Sequence, residues 1–236
     1  MSAPLSPAIS VLRPVTRRAW RDYRLIALDM DSTLLRIETL DVLAAAQDMQ
    51  AQMAAMTEAA MQGQVADYAS DLQRRVALLR GLRAEHLDLI QVQQQLSDGA
   101  QRLMAYCRQR DMHCMVISSG FTYYAEQIRQ HLDMQAVRAN VLEIVDDTIT
   151  GALLPQPGER FVDREEKKNA LLHACAQLGI APEQSIAVGD GANDAAMLAA
   201  AGLGVGFHPK SVLRAHADIA IEAGGLDALL YFLHAD

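Results

Sequence analysis

Asp29-Met30-Asp31-Ser32-Thr33 and Gly189-Asp190-Gly191-Ala192-Asn193-Asp194 contain the acids whose types and spacing speak most directly of chemistry. A short apolar run precedes each cluster, Leu25-Ile26-Ala27-Leu28 the first and Ile186-Ala187-Val188 the second, and helix-like sequence follows. Such runs read as buried parallel strands. Carboxylates at the C-terminal ends of parallel strands point into the crevice where open α/β sheets bind ligands. Together the two loops would gather three or four carboxylates at one point, a concentration of negative charge that requires a cation. A small set of oxygen ligands favours Mg²⁺, which also accepts substrate phosphate oxygens.

Asp29 ends its strand, where an acid is costly unless a metal or hydrogen bonds compensate. A carboxylate held there is a candidate nucleophile that forms an aspartyl-phosphate. Asp31, two residues on, is placed to act as proton donor and then acceptor at the same phosphorus. Asp190 is the candidate to complete a Mg²⁺ shell with Asp29 and one backbone carbonyl. Asn193 and Asp194 open a helix, where their plainer role is N-capping. Ser118-Ser119-Gly120 follows the apolar run His113–Ile117 and precedes helical sequence. It reads either as an anion site at a helix N-terminus or as an ordinary serine cap. Lys167 and Lys168 begin another helix, against the preference of its dipole. One of them is a candidate to neutralise a phosphate; the alternative is two solvated surface lysines.

The chain has 236 residues, 51% of them hydrophobic, enough for one large domain or for a core with an insertion. A net charge of −8 argues against general nucleic-acid binding. Cys107, Cys114 and Cys175 lack metal-ligand or redox spacing and read as buried free thiols. No run approaches the ~18 apolar residues of a membrane span, and no signal-peptide core follows Arg13, Arg17 and Arg18. The expectation is a cytoplasmic protein, monomer or homodimer, without membrane or nucleic-acid partners. Residues 1–23 read as an extension, partly flexible, with Trp20 packed on the core. After a first strand at 24–29, residues 38–96 have helical composition. Met61, Val65, Tyr68, Leu72, Val76 and Leu79 fall at steps of three and four, which predicts one amphipathic helix. The α/β pattern resumes with a helix at 98–110 capped by Ser97 or Asp98, the strand at 113–117 and a helix at 122–132. A hairpin over 141–153 turns at Asp146-Asp147. A helix at 165–178, the Asp190 strand, a helix at 193–200 and strands at 203–206 and 218–221 complete the reading.

An Asp-x-Asp-x-Thr loop, a strand-end Ser, a Lys and a Gly-Asp-Gly-x-Asn-Asp loop, in that order, resemble the haloacid dehalogenase (HAD) superfamily of phosphotransferases. The finer pattern is similar to its phosphoserine phosphatase branch: Glu38, Ala60-Met61-x-Gly63, Leu72-x-x-Arg75-Val76, Ser118-x-Gly120-Phe121 and Val188 through Asp194. The resemblance covers residues 24–225. It implies a Rossmann-like parallel-sheet core, residues 24–36 and 98–236, with an inserted helical-bundle cap, residues 37–97. It implies that Asp29 is the nucleophile and Asp31 the general acid/base, with Mg²⁺ on the Asp29 carboxylate, the Asp31 carbonyl and Asp190. Ser118, Ser119, Gly120 and Lys167 would surround the phosphate, Lys167 being preferred over Lys168 by its spacing to Asp190. Asn193 would bridge substrate and metal surroundings, with Asp194 in support. Glu38 would pair with a substrate ammonium and Arg75 with its carboxylate, while Met61 and Tyr68 wall the pocket. The spacing of Tyr68 and Arg75 independently places them on one helix face, with Arg74 elsewhere. The implied substrate is a small phosphomonoester, O-phospho-L-serine foremost. Ser119 departs from the branch, which usually has Gly there, and Gln73 stands where many relatives have a basic residue. Two rivals remain open: the same fold acting on another phosphomonoester or passing phosphate to an alcohol, and a receiver-like module phosphorylated on Asp29 without turnover.

Overall fold

The computed structural model describes residues 9–15 and 19–233. The expected extension therefore lies partly outside the described residues, at 1–8 and 16–18. In chain order the elements are β1 (Ile9–Val11), β2 (Leu25–Leu28), α1 (Thr39–Ala45), α2 (Gln50–Met61), α3 (Tyr68–Ala77), α4 (Val92–Gln95) and α5 (Ala100–Arg108). Next come β3 (His113–Phe121), α6 (Thr122–Leu132), β4 (Ala136–Val145), β5 (Thr148–Leu154), α7 (Arg164–Leu178) and β6 (Ser185–Gly189). The chain closes with α8 (Ala195–Ala200), β7 (Leu203–Phe207), β8 (Ile219–Ile221) and α9 (Ala228–Leu233).

Leu25, Ile26, Ala27 and Leu28 are all fully buried, as an apolar strand covered on both faces must be. Alternate residues face opposite cores. Ile26 and Leu28 pack in the larger cluster with α5 and α6, and Leu25 and Ala27 in the smaller one with α7 and α8. The strands form one sheet in the order β1-β8-β7-β6-β2-β3-β4-β5. β2 pairs in parallel with β3 and β6 in flush register: Leu28 lies opposite both Val116 and Val188. Asp29, Ser118 and Asp190 therefore emerge at one end of the sheet. The chain leaves β2 to either side at this point, the topological crevice expected of such sheets. The antiparallel pairs, β1 with β8 and β4 with β5, lie at the two edges.

Several expectations change. Gly63, at φ +74°, ends the predicted long helix, and Asp67 caps a new one by accepting from the Ser70 N–H. The apolar steps from Met61 to Leu79 therefore run across α2 and α3, not along one helix. α5 starts after Gly99, not from a Ser97 or Asp98 cap. Residues 9–11 add an edge strand that their sequence did not announce, and α9 is a further short helix. The hairpin is longer than expected, but its turn is Asp146-Asp147, both at positive φ, a conformation that acidic residues tolerate in two-residue turns. Trp20 is buried and packs on Tyr106, and all three cysteines are free and buried. Among the described residues no helix is long and apolar enough to cross a membrane.

Candidate active site

Asp29 leaves β2 still in ladder register, its N–H donating to Val188 O at 2.9 Å. The next residues turn sharply, with Ser32 at φ +53°. This turn brings Asp31 back beside Asp29 and leads to the start of α1. There the Thr39 N–H donates to Asp31 Oδ1 at 2.9 Å, and Ser32 Oγ donates to Glu38 Oε1 at 2.6 Å. The Asp31 carboxyl is pushed up to about 6, chiefly by burial, and Glu38 to about 8, by burial and then by the Asp31 charge.

Ser118-Ser119-Gly120 does not cap a helix. It lies within β3, and α6 begins from Phe121 with no side-chain cap. The ladder between β3 and β4 shifts register between Ile117 and Phe121, which frees the intervening groups to line the crevice. Ser118 Oγ accepts from the Gly120 N–H at 2.9 Å. A side chain at Gly120 would begin 2.8 Å from Met30 Cε and 3.1 Å from Asp31 Oδ2, so it would crowd the end of Met30 and the Asp31 carboxylate. Buried Asn140 donates to Ser119 O at 2.9 Å and accepts from the Val162 N–H at 2.8 Å. It ties the end of β3 to the segment that starts α7. Sequence reasoning passed over Asn140, because an Asn in a strand carries no signal of its own.

Lys167 is completely buried and donates to Asp29 Oδ1 and to Asp194 Oδ1, both at 2.7 Å. Lys168 instead pairs at the surface with Glu165. Burial alone would lower the Lys167 pKa; Asp194 and Asp29 outweigh it and raise it, so the ammonium stays charged. Asp194 does not act as a simple helix cap. Its Oδ2 accepts from the Asp190 and Gly191 N–H groups, both at 3.2 Å, and holds the loop in place.

Asp29, Asp190 and Asp194 each offer a carboxylate oxygen within 4.8 Å of the others. The side-chain trio thus contains Asp194 and not the Asp31 carboxylate, which is turned to Thr39. Both Asp194 oxygens are committed to protein donors, whereas Asp190 Oδ1 is buried with no hydrogen-bond partner. Burial, then Glu38, Asp194 and Asp29, raise Asp190 well above the carboxylate range. Asp29 rises to about 7, through burial and then Asp194, despite Lys167. An all-oxygen set that repels itself and leaves a buried oxygen unsatisfied fits a hard divalent cation.

Over this end of the sheet α2 and α3 contribute Met61, Tyr68 and Arg75. These line one cavity with Asp29, Asp31, Glu38, Ser118, Ser119, Gly120 and Asn193. The cavity is narrow, about 30 Å³. Tyr68 and Arg75 share a face as expected, with the Arg75 guanidinium carbon 5.8 Å from the ring centroid. Arg75 is 2% exposed; its Nε donates to Asp71 Oδ2 at 3.0 Å, and its Nη2 is buried without a partner. Arg74 lies outward, its side chain 69% exposed. Ser119 Oγ and Asn193 Oδ1 are also buried and unsatisfied. A larger groove of about 590 Å³ lies between α7 and β4, but its acids Glu159 and Glu166 are paired with Arg138.

The model of the haloacid dehalogenase-like hydrolases matches residues 23–202. A phosphoserine phosphatase of Polaromonas sp. is 43% identical over 227 residues, 96% of each chain. A phosphoserine phosphatase of Albidiferax ferrireducens is 46% identical over 210 residues, 89% of each chain. Among solved structures, a phospho-aspartyl intermediate analogue of phosphoserine phosphatase superposes with a TM-score of 0.82 at 30% identity, covering 89% of this chain and 99% of that one. A substrate-bound phosphoserine phosphatase complex has the same TM-score and identity, covering 98% of its own length.

Proposed function

The chain belongs to the haloacid dehalogenase-like hydrolases, within them to the phosphoserine phosphatases, and from that membership we propose that it hydrolyses O-phospho-L-serine by way of an aspartyl-phosphate on Asp29. The observation that carries the reading is the buried Asp29–Lys167–Asp194 chain, with Asp29 lining the same pocket as Arg75, whose Nη2 is unpaired. One end of the pocket is built for a phosphoryl group and the other for a carboxylate.

The Asp29 carboxylate attacks phosphorus and the bond to the serine oxygen breaks. Asp31 supplies the proton that the departing alkoxide takes up. A carboxyl raised to about 6 retains some of its proton near neutral pH, unlike an ordinary Asp. Water then attacks the aspartyl-phosphate, Asp31 accepts its proton, and Asp29 is freed with release of phosphate. Lys167, Ser118, Ser119, Gly120 and Asn193 surround the phosphoryl oxygens. Catalysis is positioning and charge neutralisation, as phosphoryl transfer requires. Asp29, Asp190 and the Asp31 carbonyl would hold a Mg²⁺ ion, which would offset carboxylate repulsion and the charge on the phosphoryl oxygens. At the other end Glu38 receives the substrate ammonium and Arg75 its carboxylate, a charge-assisted match. Residues 37–97 form the cap over a core of 24–36 and the chain from 98 onward.

The test is steady-state phosphate release with Mg²⁺ from phosphoserine, phosphothreonine, phosphoethanolamine and phenyl phosphate. Phosphoserine should have the highest kcat/KM. Equal rates for all four would overturn the amino-acid reading. Stoichiometric labelling without release would favour the receiver-like module instead.

A further inference from the structure

Arg164 is the first residue of α7, three before Lys167, and a cation there opposes the helix dipole. Its guanidinium points away from its own helix. Nη2 donates to Ala60 O, in the last turn of α2, at 3.4 Å. The guanidinium carbon lies 5.0 Å from the ring centroid of Tyr68, the first residue of α3. Nε is buried without a partner, and among the described residues no carboxylate lies within ion-pairing distance of the side chain. Carbonyls at a helix C-terminus and an aromatic face are what a guanidinium seeks when no acid is available. Arg164 thus grips both sides of the turn at 62–67. The pocket walls Met61 and Tyr68 are the residues on either side of that turn.

The two cap helices are held differently. α3 and the segment after it are bonded to the β4–β5 hairpin. The Gly81 N–H donates to Ile149 O, the Ile149 N–H to Leu82 O, and Gln73 Nε2 to Leu153 O, all at 2.8–2.9 Å. α2 buries Met53, Thr57, Ala60 and Met61 and is bonded to α1 by Thr57 to Asp41 at 2.8 Å, but its polar ties to the sheet domain are side-chain ones: Lys210 to Glu58 at 2.6 Å and Ser211 to Gln62 at 3.2 Å, both exposed, and Arg164. Exposed pairs of this kind contribute little. Met61 Sδ also packs so tightly on the metal-loop side that a side chain at Gly191 would begin 2.5 Å from it.

We propose that Arg164 is a positioning residue that holds α2 closed over the phosphate site, so that α2 swings away to admit substrate while α3 keeps Arg75 in place. This rests on the pocket being the phosphoserine site. With α2 in this position the space left beside the phosphate site is narrow, about 30 Å³. Because Lys167 follows one turn later on the same helix, the residue that closes the lid and the residue that holds the phosphate move as one body.

The experiment compares the full chain with Arg164→Ala and Arg164→Lys in three measurements: phosphoserine kinetics with Mg²⁺, thermal midpoint, and amide hydrogen exchange without substrate. For Arg164→Ala, loss of a cation–π contact and a carbonyl hydrogen bond should raise KM roughly tenfold with kcat within about twofold. Exchange at residues 58–66 should speed up by a similar factor, while β2, β6 and α3 beyond its first turn are unchanged. Arg164→Lys keeps a cation over Tyr68 and should recover part of both effects; it carries the test if Arg164→Ala fails to fold. Unchanged exchange at 58–66 would overturn the proposal. So would faster exchange across the whole chain with a lowered midpoint, the mark of a merely structural residue, or equal opening of α2 and α3. The exchange arm needs no substrate, so failure of the wild-type enzyme to turn over phosphoserine overturns the functional reading, whereas exchange at 58–66 reports only on how Arg164 holds α2.

Discussion

Arg75→Ala tests the substrate reading most sharply. Arg75 lines the pocket and is almost fully buried, and its Nη2 has no partner. Removing it takes one charge-assisted hydrogen-bonded pair from bound phosphoserine, about 1.5–3 kcal/mol. At about 1.4 kcal/mol per tenfold, KM should rise roughly 10- to 150-fold. The same change leaves Asp71, itself buried, without its 3.0 Å partner, although Arg74 Nη2 remains 3.3 Å from Asp71 Oδ1. The stranded acid would lower stability, so the double variant Asp71→Asn/Arg75→Ala is the proper companion: it removes the unpaired charge but not the lost substrate contact. The assay is phosphate release from phosphoserine against phosphoethanolamine, which keeps the ammonium and lacks the carboxylate. Phosphoserine should suffer the full effect in both variants, and phosphoethanolamine a change within about threefold. Equal losses on both substrates would refute the assignment and make Arg75 a structural or phosphate-directed residue.

Asp29→Asn should release no phosphate above background while keeping the wild-type thermal midpoint, because an amide cannot form the acyl phosphate; substantial turnover, with deamidation excluded by mass, would remove the nucleophile. Chelator-treated enzyme should be inactive and recover with Mg²⁺, and full activity in excess chelator would end the metal argument. Gly120→Ala should lower kcat/KM by at least about tenfold, since its Cβ would press on Met30 and stand 3.1 Å from Asp31 Oδ2; wild-type kinetics would show that the crevice is roomier than it looks. The metal-free enzyme should lose stability as pH rises from about 4.5 to 8. Asp31, Asp29 and Glu38 stand at about 6, 7 and 8 when folded, so the folded chain holds more protons than the unfolded chain across that window. Mg²⁺ should flatten the slope by favouring the ionised forms, and a thermal midpoint that climbs with pH in chelator would contradict this.

The local chain was enough to place Asp29 and Asp190. Short apolar runs that must be buried on both faces leave parallel strands as the solution, and the residues just past the C-terminal ends of such strands face the crevice. The Tyr68–Arg75 face was also legible, because seven residues make two helical turns and both residues fall within one unbroken helix. The longer stripe from Met61 was misleading: periodicity continues through a turn when two successive helices pack on the same core, and only the backbone at Gly63 separates them. Ser118 through Gly120 read as either an anion site at a helix start or a cap, because hydroxyls suit both, whereas β3 runs on through Phe121, with a register shift against β4 that the local sequence does not announce. Sequence spacing preferred Lys167 to Lys168 but gave no view of what either side chain meets. That was decided by burial, which leaves the Lys167 ammonium no partner but the carboxylates of Asp29 and Asp194. Asn140 and Arg164 were invisible for the same reason. Their bonds reach Ser119 and Val162 in one case and Ala60 and Tyr68 in the other, and no local preference of an Asn in a strand or an Arg at a helix start reports on partners that distant.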